Sequence, residues 1–168
     1  QHHCDVLVVG AGPAGSMAAK TAAENGVDVI FIEEHKVPGS PVFCGEGLSI
    51  GGILHGGLEP VEPYVCQQIS TARVVAPNGR TVDLSATDWT GYTLDRSEFD
   101  KALAVNAEKA GAKLMTEVTA TGVIKEENQV VGVNAIVNGK EVEFRAKVII
   151  GADGHWSIIR RSAGLDNY

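Results

Sequence analysis

No stretch of this chain approaches the roughly 18 consecutive apolar residues that a bilayer-spanning helix needs, and no charged-then-apolar leader opens it. Membrane-spanning and secreted architectures therefore find no support, and a cytoplasmic protein is the expectation. Cysteine is scarce. Cys4, Cys44 and Cys66 are an odd number with no C-x-x-C spacing, which argues against a disulfide scaffold or a zinc ribbon and for thiols in a reducing compartment. Positive charge is short as well: 14 Lys and Arg stand against 21 Asp and Glu, a net charge of -7, and residues 1–70 hold only 2 basic side chains against 8 acidic ones. Nucleic acid, which rewards basic surfaces, is not expected as a partner. The opening Gln1, His2 and His3 include no initiator methionine and read as an end-group artefact, so no metal site is placed on them.

Against those absences stand 20 glycines and a 44% apolar composition in 168 residues, enough for one globular domain with a sizeable core. Residues 6–15, VLVVGAGPAG, read as a buried strand that runs into a glycine turn. The G-x-G-x-x-G pattern falls at Gly10, Gly12 and Gly15. In such a turn the first glycine permits the bend, the second admits a pyrophosphate against the backbone, and the third lets the helix pack on the strand. Pro13 suits the first turn of that helix, Ala14, Ala18 and Ala22 give it a smooth face, and Asn25 and Gly26 end it. A second apolar strand over residues 28–32 completes a β-α-β unit. Glu33 follows eighteen residues after Gly15, a spacing that suits a carboxylate on a ribose 2′-hydroxyl; the competing reading is a solvated strand end. With so few basic residues nearby, a phosphate here would depend on backbone amides and the helix terminus.

Residues 37–57 are rich in glycine and proline, and no strand or long helix fits them. Gly45 and Gly47 flank Glu46 beside Cys44, a spacing that lets main chain pass close to a flat or charged ligand; a plain surface loop is the alternative. Residues 58–70 read as an irregular connection. Residues 72–76, 81–85 and 91–94 read as three short strands of one antiparallel patch around the turn at Pro77, Asn78 and Gly79, with Trp89 and Tyr92 as aromatic candidates for a pocket wall. Asp95 and Arg96 open a helix, with Ser97 and Asp100 in capping-box spacing and Phe99, Leu103 and Ala110 on one face. Arg96, at the positive helix start, suggests either a separate anionic target or an ordinary salt bridge. Strands are expected over residues 113–117, 120–125, 130–137 and 140–145, the last three forming a meander with Asn138 and Gly139 at one turn. Ala120 at its mouth could meet a nucleotide only through its backbone. A separate buried strand over residues 147–150 ends in GADG at 151–154, and a helix follows from Ser157.

GAGPAG at 10–15, Glu33, PVFCGEG at 41–47, YTLDRSEFD at 92–100 and GADGHWSIIRR at 151–161 occur in that order. Together they resemble the geranylgeranyl reductases, most narrowly the archaeal digeranylgeranylglycerophospholipid reductases within the flavoprotein superfamily typified by p-hydroxybenzoate hydroxylase. That resemblance implies an α/β fold. A Rossmann-like FAD-binding β-α-β unit with a parallel sheet would carry a three-stranded antiparallel meander and part of a second antiparallel sheet. Residues 1–70 and 95–168 would form the FAD-binding domain, and residues 71–94 would supply strands of the substrate-side sheet. The rest of that sheet and a later G-D-A motif are not in this sequence, so the resemblance implies an N-terminal fragment. It places Gly10, Gly12, Ala14 and Gly15 around the FAD pyrophosphate and Glu33 on the ribose. Cys44, Gly45 and Gly47 would lie along the flavin, with Arg96 and Ala120 also at the cofactor. It implies reduction of isoprenoid double bonds in a membrane ether lipid, a low-potential donor such as ferredoxin, and peripheral contact with the membrane. It assigns no metal, and the residues present identify no catalytic side chain. Family members often carry arginine where this chain has Phe43.

Overall fold

The computed structural model describes residues 1–85 and 90–165. The chain runs β1 (His2–Val9), α1 (Pro13–Glu24), β2 (Val29–Ile32), β3 (Gly47–Ser49), α2 (Ile50–His55), β4 (Val65–Ile69), β5 (Thr71–Val75), β6 (Thr81–Ser85), β7 (Gly91–Leu94) and α3 (Arg96–Lys109). It continues through β8 (Lys113–Met115), β9 (Val118–Glu126), β10 (Gln129–Val137), β11 (Lys140–Gly151) and α4 (Ile158–Ala163).

Six of these strands form the central sheet in the order β8-β2-β1-β11-β10-β9. β8, β2, β1 and β11 run parallel, whereas β10 lies antiparallel to both β11 and β9. Period-two alternation divides the core between the two faces. Leu7 and Val9 join Ile30, Ile32, Val133 and Phe144 on one side, while Val8 and Phe31 pack on the other against Ala19 of α1 and Ala104 and Ala107 of α3. β2 is buried along its whole length, as an apolar run in the middle of a parallel sheet should be. A third cluster, with Ile53, Leu94, Phe99 and Leu103, joins α2, β7 and α3.

The β-α-β unit, the meander and the Asn138/Gly139 turn stand as the sequence suggests, with φ of +50° and +74° at the two turn residues, as a two-residue hairpin requires. Several local expectations are corrected. The strands foreseen over residues 140–145 and 147–150 are one strand, β11, whose first half pairs with β10 and whose second half pairs with β1. Phe144 lies opposite Val133 on one side and His2 on the other, so the ladder passes through Ala146 without a break. His2 and His3 belong to β1, and the His2 ring stacks on Phe144 at 4.8 Å, so both take part in the sheet. The stretches set aside as irregular contain β3, α2 and β4. β7 lies between β3 and β4 in a sheet of its own, while β5 and β6 pair only with each other. The expected single patch is therefore two sheets, because β7 finds partners nearer the glycine loop. Asp95, and not Ser97, caps α3, with its carboxylate accepting from Ser97 N and Glu98 N. Along α1 the deepest residues are Gly15, Ser16 and Ala19, and Ala14 is exposed.

A Cβ at residue 15 would stand 1.8 Å from the Gly10 carbonyl oxygen, whereas one at residue 12 meets nothing within 4 Å. Gly15→Ala is therefore expected to cost about 3 kcal/mol in urea unfolding, and Gly12→Ala to stay within about 1 kcal/mol of the parent.

Candidate functional site

The carboxyl ends of β1, β2 and β11 open onto a shared crevice, where open α/β sheets bind their ligands. The chain leaves β1 through Gly10 at φ +99°, a backbone conformation that suits glycine. A Cβ there would lie 2.4 Å from the Ala152 carbonyl oxygen at the end of β11. Gly15 is buried beneath the turn, and Gly12 faces open space. The three glycines thus have three separate reasons: a turn, a clear approach, and close helix packing. Gly12 is the N-cap of α1, which has neither a side-chain cap nor an acidic residue in its first turn. The amides of Ala14 and Gly15 lie in that first turn, where N–H groups have no intrahelical acceptor, so the crevice floor is a positive helix end.

Glu33 closes one side. Its Oε2 accepts from Ala11 N at 2.9 Å, and its Oε1 accepts from His35 N at 3.0 Å and pairs with His35 Nδ1 at 2.8 Å. The carboxylate is thereby fastened to the glycine turn with only 11% of its side chain exposed, which excludes the solvated strand-end reading. Glu34 beside it is largely exposed. Gly10, Gly12, Glu33, Ala120 and Asp153 line a hollow of about 320 Å³, within the range of ligand pockets. Asp153 is itself occupied: it accepts from the Ser157 hydroxyl at 2.5 Å and from Ile159 N at 3.1 Å, holding the start of α4 in place.

A second hollow, of about 260 Å³, adjoins the first across the Gly12–Pro13 peptide. Met17, Leu48, Leu94, Phe99 and Leu103 make most of its wall apolar, with Cys44, Gly47 and Arg96 at its polar side. Glu46 turns the loop here at φ +60°. Its carbonyl accepts from Leu94 N at 2.8 Å, and its carboxylate accepts from Arg96 N at 3.4 Å. Cys44 Sγ accepts from Glu46 N at 3.4 Å. That amide, helped by the charge of Arg96, holds the Cys44 thiol below its ordinary range, whereas burial pushes the Cys4 thiol up. Arg96 forms a two-point pair with Asp100, Nε to Oδ1 and Nη2 to Oδ2, both at 2.9 Å. The salt-bridge alternative is therefore realised, with a buried partner on its own helix.

Of the residues singled out from sequence, Gly10, Gly12, Glu33 and Ala120 meet at the first hollow and Cys44, Gly47 and Arg96 at the second. Ala14, Gly15 and Gly45 line neither. Tyr92 packs against the α2/α3 cluster, and Trp89 lies outside the described residues. Phe43 is 91% exposed beside Cys44. Two participants went unrecognised. His35 carried a signal, a polar side chain two residues after a strand-end carboxylate, while the role of Asp100 was hidden by its likeness to a capping residue. Among the described residues, no three His, Cys, Asp or Glu gather as a metal site, and no helix is long and apolar enough to cross a membrane.

Comparison with known proteins gives this crevice a context. The chain is 46% identical over 165 residues to a digeranylgeranylglycerophospholipid reductase of Methanosarcina acetivorans, covering 96% of this chain and 40% of that protein. It is 45% identical to the protein of the same name from Methanocella arvoryzae, at 96% and 42% coverage. Among solved structures, a geranylgeranyl bacteriochlorophyll reductase-like protein from Thermoplasma acidophilum superimposes with a TM-score of 0.91 at 41% identity, covering 98% of this chain and 43% of that one. The chain thus spans about two fifths of the length of these relatives. The family described as FAD dependent oxidoreductase matches residues 5–164, and with nearly its whole length inside that match, this chain belongs to that family, whose cofactor is FAD.

Proposed function

We propose that this chain is the FAD-holding part of a reductase that saturates carbon-carbon double bonds in the geranylgeranyl chains of an archaeal ether lipid. The observation that carries the reading is the pair of unlike hollows whose linings meet at Gly12 and Pro13: one with the glycine turn and the tied Glu33 carboxylate in its wall, the other mostly apolar with Cys44 in its lining. The similarity to digeranylgeranylglycerophospholipid reductases supplies the substrate class.

In this reading the amides around Gly10, Gly12, Ala14 and Gly15 take the FAD pyrophosphate, and Glu33 accepts the adenosine ribose hydroxyls. Ala120 meets the cofactor through its main chain. Cys44, Gly45 and Gly47 run along the flavin, and Arg96, which keeps N–H groups beyond the two given to Asp100, faces its anionic part. Bound and reduced FAD supplies the hydride and its electrons. The chain's own contribution is orientation and dryness: Met17, Leu94, Phe99 and Leu103 exclude water where an isoprenoid would lie. A ferredoxin-class donor, a cytoplasmic setting and peripheral contact with the membrane that holds the lipid complete the proposal.

The domain division follows the same reading. Residues 1–70 and 95–168 form the FAD-binding part, and residues 71–94 belong to the substrate side. Every residue of β5 and β6 is exposed, although Val74 pairs with Val82 and Ala72 with Leu84 on one face. A lone two-stranded hairpin is marginal in water, so sequence beyond this chain, as in the longer relatives, would cover it.

Anaerobic incubation of the longer protein with FAD, dithionite and a geranylgeranyl ether lipid should add two hydrogens per double bond, read by mass spectrometry. Phenol-stimulated NAD(P)H oxidation with no lipid reduced would sink the reading. Glu33→Gln should weaken FAD binding about tenfold in a flavin fluorescence titration, in line with about 1.5 kcal/mol for a hydrogen bond to a charged group. Val74→Thr with Val82→Thr should change the stability of this chain by less than about 0.5 kcal/mol, as exposed positions do, yet lower the melting temperature of the longer protein by several degrees.

A further inference from the structure

Trp156 is 73% exposed, and an exposed aromatic taken singly needs no explanation. Its placement does. Residues 154–157 form a tight turn in which Ser157 N donates to the Gly154 carbonyl at 3.1 Å, with Gly154 at φ +75° and with His155 and Trp156 as the two central residues. The turn is tied at its start and its end. Asp153, just before it, accepts from the Ser157 hydroxyl and from Ile159 N, and Ala152 N donates to the Val9 carbonyl at the end of β1. The backbone of Trp156 is therefore set beside the glycine turn, while the indole, in ring contact with His155 at 5.0 Å, is left largely uncovered in the lining of the first hollow.

The rest of that lining decides which part of a nucleotide belongs beside the indole. Glu33, Glu34 and Asp153 are all carboxylates, and no Lys or Arg is among the described residues that line the hollow. Such a wall repels phosphate, whose place is at the α1 amides; it favours a neutral group that donates hydrogen bonds. Val9, Ile32, Val118 and Ile158 add apolar surface. A ribose held at Glu33 carries its base on one glycosidic bond, so the base stays close to the hollow that Glu33 lines. Adenine is neutral, flat and bears an amino donor, and an aromatic side chain is a stacking platform for such a ring.

We propose that the Trp156 indole is the platform on which the adenine of FAD stacks, so that the first hollow is a purine site. The inference rests on the FAD reading of this crevice and adds to it a side chain that neither the glycine turn nor Glu33 requires.

The test uses the longer protein with its flavin removed. FAD is titrated by flavin fluorescence, and ADP, which has the adenosine but no flavin, by competition against FAD. Trp156→Ala should weaken both ligands by the same factor, about tenfold, with the urea midpoint unchanged, as at exposed positions. Trp156→Phe keeps a flat ring and should stay within about threefold of the parent. Irradiation with 8-azido-ADP should place its label on the peptide that holds Trp156, and excess FAD should prevent the labelling. A Trp156→Ala protein that binds FAD and ADP as tightly as the parent would overturn the proposal and leave the FAD reading standing. A loss for FAD alone would overturn it too, because the stacked ring would then be the flavin, as would equal losses in Trp156→Ala and Trp156→Phe or a label confined to other peptides. A parent that binds no FAD overturns both readings.

Discussion

Gly10 has no side chain, and the structure fills the place where one would be. The end of β11 approaches to 2.4 Å of that missing Cβ, and the Gly10 carbonyl in turn occupies the space a Cβ on Gly15 would need. β1, β11 and α1 converge on this point only because two residues present nothing but backbone. The convergence brings the N-terminus of α1 to the carboxyl edge of the sheet, where Gly12 is left facing open space. Close packing and an accessible cradle are consequences of one constraint, and the side-chain requirement at each of the three glycines follows from which side of the turn it occupies.

The same edge explains the reach of Glu33. Gly10 N bonds to the Ile32 carbonyl, Glu33 N to Met115 and Ala152 N to Val9, so the strand ends are tied to one another beyond the last ladder pair. Glu33 then extends its carboxylate back to Ala11 N within the glycine turn. An acidic residue at the end of β2 is therefore part of the wall of the crevice, with His35 fixing its other oxygen. β11 contributes twice: its second half leads into Ala152 at the crevice, and its first half carries the meander that brings Ala120 to the same hollow.

Features that depend on near neighbours in the chain could be read from the residues alone. The glycine turn, the alternating strands and the Asn138/Gly139 hairpin are set by local φ/ψ needs and by burial period. Features that depend on distant partners could not. β3 is three residues long and contains Gly47; it is a strand because β7 offers it a ladder. β4 is a strand for the same reason, although prolines precede it. Capping was ambiguous because Asp95 and Ser97 both suit the position, and the geometry of the entering chain chose Asp95. Asp100 could not be understood without the loop that buries it, sixty-one residues nearer the start at Gly39. The FAD assignment came from the order of several weak motifs, and the family match over residues 5–164 has the same extent.

Charge decides how an anionic ligand could be held. The first 70 residues carry six more acidic than basic side chains, 8 against 2, and among the described residues lining the two hollows Arg96 is the one Lys or Arg. A phosphate group entering this crevice therefore meets no lysine cluster, and the attraction has to come from helix-end amides at short range. Such attraction acts over the first turn only, which rewards a ligand that lies flat against Gly12 and discriminates against anions held at a distance. Arg96 shares its charge with Asp100, which takes Nε and Nη2 and fixes the direction in which the remaining N–H groups point. In the lining of these hollows the fixed attraction for an anion is thus backbone at the start of α1, with Arg96 as the one side chain of positive charge, its direction set by Asp100.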